Sequence, residues 1–142
     1  HYQKYLPLMP LALEQLDLST YDLVISSESG PAKGVITRPD AVHICYCHSP
    51  MRYVWDMYHE YRSTAGRVIR SLFPFIAHYL RIWDRLSADR VDHFIANSKF
   101  ITSRIKKFYR REAYLLYPRL TLPSFPMRRY VETSIFIKVD LL

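Results

Sequence analysis

The run His43-Ile44-Cys45-Tyr46-Cys47-His48-Ser49-Pro50-Met51-Arg52-Tyr53 constrains this chain more than any other stretch. Val42 to Cys47 is short and mostly apolar, which suits a strand buried on both faces. Pro50 has no N–H for a ladder and restricts the residue before it, so the strand must end near His48. Ligands of parallel sheets sit just beyond the carboxyl ends of the strands. That places His48 at a candidate site, with Arg52, Trp55, Asp56, His59 and Glu60 following closely.

The other segments are arranged around that strand. His1 to Leu18 reads as a short amphipathic helix interrupted by Pro7 and Pro10, the latter suited to a first helical turn. Leu23 to Ile25 reads as a strand ending in Ser26-Ser27-Glu28-Ser29-Gly30-Pro31, a loop chemistry able to approach a ligand or simply to connect elements. Ala32 to Ile36 suggests one helical turn, and Val54 to Arg62 an aromatic helix. Ser63 to Phe73 reads as a basic helix that Pro74 breaks or restarts. Phe75 to Arg90 carries the clearest helical periodicity, with Ile76, Tyr79, Leu80, Trp83 and Leu86 on the packed face. Val91 to Ala96 is a third strand, followed by the capping pair Asn97-Ser98 and a basic helix over Lys99 to Phe108. Ala113 to Tyr117 is a fourth strand stopped by Pro118, and Val131 to Leu142 allows one more.

Apolar strands alternating with helices define an α/β fold, a Rossmann-like parallel sheet with flanking helices. A doubly wound nucleotide-binding unit opens with a strand and a Gly-rich turn, and neither is present. The sheet is therefore expected to be incomplete or of another kind. An open edge at its first strand would invite pairing with a second copy.

The length of 142 residues suits one modest domain, and an apolar content of 49% provides a core. No apolar run approaches the roughly 18 to 20 residues of a membrane span. The chain opens on His1, so its natural start is expected to lie upstream. Cys45 and Cys47 read as small core residues of a reducing compartment, expected on opposite strand faces. Zinc sites usually space cysteines differently, and no metal is expected. A net charge of +7 favours an anionic partner. Nucleic acid is disfavoured, because no finger spacing, RNP-like strand or helix-turn-helix pattern is present.

The run Cys47-His48-Ser49-Pro50-Met51-Arg52-Tyr53-Val54-Trp55-Asp56 resembles the acceptor-side segment of family-4 retaining glycosyltransferases of the GT-B kind, in a branch that transfers mannose-like sugars in polysaccharide assembly. Asp22-Leu23-Val24-Ile25-Ser26-Ser27, Ala32-Lys33-Gly34-Val35, Leu80-Arg81-x-Trp83-Asp84 and Phe94-Ile95-Ala96-Asn97-Ser98 extend the resemblance collinearly. It implies that residues 1–118 form a partial N-terminal acceptor domain. Residues 119–142 then replace the interdomain hinge with a divergent tail, and the C-terminal donor-binding domain is absent. No cofactor is expected on this fragment. A nucleotide-diphospho-sugar donor is implied for the complete enzyme, and the isolated fragment is expected to be inactive. The implied partners are a lipid-linked or glycan acceptor, an anionic membrane surface, and the missing donor domain or a partner chain. The implied location is cytoplasmic, peripheral on the inner face of a membrane. The alternative is a non-catalytic binding or scaffold module, or an inactive remnant of such an enzyme.

His48 matches the family's active-site histidine, able to hydrogen-bond substrate hydroxyls or to stabilise charge as the sugar–phosphate bond breaks. Arg52 has a planar fork for phosphate or sugar, or pairs with Asp56 one turn on. Tyr53 and Trp55 offer a stacking wall, or core. Asp56 suits acceptor hydroxyls or a cation, and Glu28 and Lys33 line a candidate acceptor loop. His43, at the start of the strand, reads as structural. Arg67, Arg70, Arg81 and Arg85, with Phe73 and Phe75, suit an anionic bilayer or a solvated face. Arg104, Lys106, Lys107, Arg110 and Arg111 form a second basic set.

Overall fold

A computed structural model of the protein describes residues 7–118 and Ser134–Phe136. The expectations for residues 1–6, and those for the tail beyond Pro118 other than Ser134–Phe136, lie outside the described residues. The strands are β1 (Leu23–Glu28), β2 (Val42–Cys47), β3 (His93–Ala96), β4 (Ala113–Leu115) and β5 (Ser134–Phe136). The helices are α1 (Met9–Glu14), α2 (Arg52–Trp55), α3 (Tyr58–Thr64), α4 (Arg67–Ser87) and α5 (Lys99–Tyr109).

The sheet runs in the order β4-β3-β2-β1-β5. β1 to β4 are parallel, and the flanking helices give a Rossmann-like α/β architecture. β5 pairs antiparallel with Ile25–Ser27 of β1, so the edge expected to be open is occupied over that stretch.

The two faces of the sheet differ. Val24, Ser26, Glu28, His43, Cys45, Cys47, Phe94 and Ala96 share one face and are buried. The main apolar cluster joins Cys45, Cys47, Phe94 and Ala96 to Ile101, Ile105 and Tyr109 of α5. On the other face Ile25, Ile44, Tyr46 and Ile95 are only half-buried. β2 is thus buried on one face and not on both, as its uniformly apolar sequence had suggested. The two cysteines share the buried face, since a strand returns to the same face every second residue. This corrects their expected placement on opposite faces.

Several boundaries also move. β1 continues through Ser26-Ser27-Glu28, because the inward polar groups find partners: Ser26 Oγ lies 2.9 Å from His43 Nε2. The aromatic helix divides into α2 and α3 around Asp56 and Met57. Pro74 lies inside α4 without ending it. A proline there removes the N–H that would reach the Arg70 carbonyl. Arg62 Nε approaches that carbonyl at 3.5 Å. Pro10 occupies the first turn of α1, and Ser98 caps α5 by accepting from the Ile101 N–H at 3.3 Å, both as the sequence indicates.

Candidate functional site

At the carboxyl ends of β1 and β2, His48 extends the ladder one step past the strand, its N–H donating to the Glu28 carbonyl at 2.7 Å. The imidazole continues the half-open face of Ile44 and Tyr46 and is exposed. Its Nε2 lies 2.9 Å from Ser27 Oγ, and the Tyr46 ring meets it edge-on at 5.0 Å. Partial burial holds its pKa below the ordinary histidine value, which favours the neutral ring. A neutral ring hydrogen-bonded on one nitrogen keeps the other for a ligand hydroxyl. Sequence reasoning did not single out Ser27. Its signal was register, since Ser27 pairs with Tyr46, two residues before His48.

Arg52 opens α2 four residues after His48 and is exposed. Of the two readings of Arg52, the ion pair with Asp56 does not form. Asp56 pairs with Arg104 of α5, a member of the second basic set. Among the described residues no hydrogen bond or ion pair engages the Arg52 guanidinium, which therefore presents an uncommitted fork. Tyr53 packs on the cluster of Met51, Val54, Ala77, Leu80 and Trp83, and its ring meets Tyr61 at 6.3 Å. Trp55 donates through Nε1 to Asp84 Oδ2 at 2.7 Å and stacks on Phe108 at 4.8 Å. Its ring therefore packs against the protein's own residues.

Glu28 and Lys33 also lie in the interior. Both are fully buried, and Lys33 Nζ stands between Asp84 Oδ1 and Glu28 Oε1, the latter at 3.5 Å. The Lys33 N–H donates to Glu28 Oε2 at 2.8 Å, closing the loop on itself. Tyr109 donates its hydroxyl to Asp84 Oδ2 at 3.0 Å, and the Lys33 ammonium lies 4.9 Å from the Tyr109 ring centroid. Burial pushes the Glu28 carboxyl up to about 7, although Lys33 pulls the other way. Burial lowers the Lys33 pKa, but Asp84 and Glu28 outweigh it, so the ammonium stays charged. Asp84, the hub of this network, was missed as a buried group. Its signal was its spacing with Ala77, Leu80 and Ser87 on the buried face of α4.

The proposed anion surface is divided in the same way. Arg67 and Phe75 are exposed, while Phe73 packs against Tyr58 at 5.3 Å. Arg81 donates to the Val54 carbonyl at 2.6 Å and lies over the Tyr58 ring. Arg85 pairs with Asp89 at 2.7 Å, and Arg70 donates to the carbonyls of Arg62 and Ser63. In the second basic set, Arg111 donates to the carbonyls of Ala88 and Val91, and Lys106 pairs with Glu112 at 2.7 Å.

A depression lined by Ile36, Arg38, Ala41, Arg90 and Asp92 lies at the opposite, amino ends of β2 and β3. Its cations are committed, Arg38 to Asp22 and Asp40, and Arg90 to Glu14. Among the described residues no group of three His, Cys, Asp or Glu is placed to hold a metal ion. Likewise no described helix is long and apolar enough to cross a membrane. Comparison with family models, curated proteins and solved structures finds no match for the chain. The architecture alone shows a Rossmann-like topology, of the kind that nucleotide-binding folds in general share.

Proposed function

We propose that this chain supplies the acceptor side of a retaining glycosyltransferase, passing a hexosyl unit of mannose type from a nucleotide sugar to a lipid-linked or polysaccharide acceptor. The observation that supports it most is the exposed His48 imidazole, hydrogen-bonded to Ser27 where two adjacent parallel strands end, with an uncommitted Arg52 following it. In this reading His48 orients acceptor hydroxyls through its second ring nitrogen, and Arg52 meets an anionic group of the acceptor. Ser27 is a positioning residue that fixes the imidazole. The donor grip is assigned to another domain or chain, since the described strand ends carry no Gly-rich phosphate loop.

Titration calorimetry of the 142-residue chain tests this reading, with a nucleotide sugar in one arm and a lipid-pyrophosphate acceptor in the other. Acceptor binding lost in His48→Ala, with no binding of donor, is the expected result. Release of nucleotide diphosphate by the isolated chain would contradict the division of labour. The second reading is a non-catalytic binding module. It is favoured by the internal commitment of Glu28, Lys33, Trp55 and Asp56, residues that an acceptor cleft would otherwise use. A folded chain silent toward both ligands would select it.

A further inference from the structure

Along α4 the residues Val68, Leu72, Phe75, Tyr79, Ile82 and Leu86 recur at alternating spacings of four and three, which keeps them in one line on the helix. All six are between 48% and 75% exposed. The line runs opposite Ala77, which is buried against the protein's own core together with Leu80, Asp84 and Ser87. At 1.5 Å per residue it is about 27 Å long. Single exposed apolar side chains need no explanation, but a continuous line of six does.

The line carries no charge. At about 100° per residue, Ser71 and Trp83 are the nearest positions on its two flanks. Arg67 and Arg85 lie further round on one side, and Arg85 is already paired with Asp89. Arg70 and Arg81 lie beside the buried face, and both donate to backbone carbonyls. A charged lipid surface would find no row of free cations along this line, whereas an apolar protein surface meets it without stranding a charge.

The order of positions along the line identifies that partner. They are symmetric about position 77: Val68 mirrors Leu86, Leu72 mirrors Ile82, and Phe75 mirrors Tyr79. We infer that two copies of this chain associate through α4, laid antiparallel about a twofold axis level with position 77. Such an axis pairs every member of the line with its mirror in the second copy and leaves none over. Phe75 of each copy then meets Tyr79 of the other, giving two aromatic pairs beside the axis. Antiparallel helix dipoles attract, and Arg67 at the amino end of one α4 comes beside the carboxyl end of the other, where Asp89 is exposed. With the exposed Ile69 added, the surface offered is roughly 600 to 800 Å² per copy, the scale of a standard protein interface. The inference goes beyond the transferase reading and does not depend on it. It also uses a different surface from the β1 edge, which β5 occupies over Ile25–Ser27.

Sedimentation equilibrium of the full chain is the test. A monomer–dimer equilibrium is expected, approaching twice the 16.9 kDa of one chain at roughly 10 to 100 μM. The double substitution Leu72→Asn with Phe75→Asn withdraws apolar side chains from both copies and should raise the dissociation constant at least about a hundredfold. Both side chains are exposed, so the variant should unfold in urea at the midpoint of dilute wild type. Only the wild-type midpoint should rise with protein concentration. Cysteine crosslinking reads the pairing itself, since the native Cys45 and Cys47 are buried. Leu72→Cys combined with Ile82→Cys should give covalent dimers on oxidation. Leu72→Cys alone should not, because antiparallel pairing sets the two copies of position 72 about 15 Å apart. His48→Ala should associate as wild type, which separates this test from acceptor binding. A chain that stays monomeric throughout that range, a dimer that the double substitution leaves intact, or crosslinking through Leu72→Cys alone overturns the inference. So does a monomer that sediments with phosphatidylglycerol vesicles and ceases to do so in the double variant, which would assign the line to lipid.

Discussion

The loops that follow β1 and β2 begin alike, with a polar residue at the end of a buried parallel strand, and put their chemistry on opposite sides of the sheet. After β1, Glu28 keeps the inward parity of Val24 and Ser26, and the loop folds Lys33 in behind it. After β2, His48 keeps the outward parity of Ile44 and Tyr46, and Arg52 stays in solvent. Strand alternation decides which residues are architecture and which are presented. A charged residue near a strand end is a ligand group only when it falls on the outward parity.

That contrast is broken most directly at Lys33. If the lysine served a ligand, its loss would leave the fold intact. In its observed setting, Lys33→Met leaves the Glu28 and Asp84 carboxylates buried without their cation. Removing one partner of a buried pair costs about 3 to 5 kcal/mol. Urea unfolding should show a loss on that scale, a large part of a small domain's total stability. A smaller effect is expected at Gly34, next to Lys33. A Cβ there would meet Trp83 ring carbons at 2.1 and 2.3 Å. Trp83 is itself held by Glu14, which its Nε1 reaches at 3.0 Å, so the ring has little room to retreat. Gly34→Ala should cost about 1 to 3 kcal/mol by overpacking, read as a lowered thermal midpoint.

The same buried face carries two proton-linked groups of opposite sign. Burial pushes Glu28 up to about 7, so its contribution is full below the unfolded carboxyl value and is lost as pH rises through 7. Burial holds His43 down to about 4, so its contribution is present above the unfolded imidazole value and is lost as pH falls toward 4. Between pH 4.5 and 6.5 the two slopes oppose each other, and wild-type stability should vary little. His43→Gln removes one slope. Its stability should then fall as pH rises from 5 to 7, by at most about 1.4 kcal/mol per pH unit. A variant curve parallel to the wild-type one would show that His43 does not change its proton count on folding, and a flat variant curve would show the same of Glu28.

The parts of this picture that were legible in the sequence are those governed by local rules. β2 could be read from its apolar run and the block at Pro50, and the start of α5 from Ser98. The phase of α4 could not. Tyr79 and Leu86 read as core because they are apolar at helical spacing, yet both are exposed, and Asp84 is buried in the same helix. Hydrophobicity cannot register a carboxylate whose burial is made possible by Lys33, 51 residues earlier. Nor could it reveal Arg104 as the partner of Asp56, because the pairing depends on how α5 docks beside α2. Candidate residues chosen by chemistry alone were therefore a mixture of scaffold and surface, and only strand parity and tertiary pairing separated them.

The smallest stability effect is expected at His48, and its smallness is the informative result. The imidazole is exposed and its main side-chain contact is one hydrogen bond to Ser27, while the backbone bond to Glu28 survives any substitution. His48→Ala should change stability by no more than about 0.5 kcal/mol, the range of surface substitutions. Ser27→Ala should do the same while freeing the ring to rotate. If the acceptor reading holds, Ser27→Ala weakens acceptor binding by less than His48→Ala, because the donor atom remains and only its orientation is lost. Equal losses would mean that Ser27 itself touches the ligand. A large fall in stability for His48→Ala would move the residue into the same class as Lys33, and the outward parity of β2 would then mark packing instead of presentation.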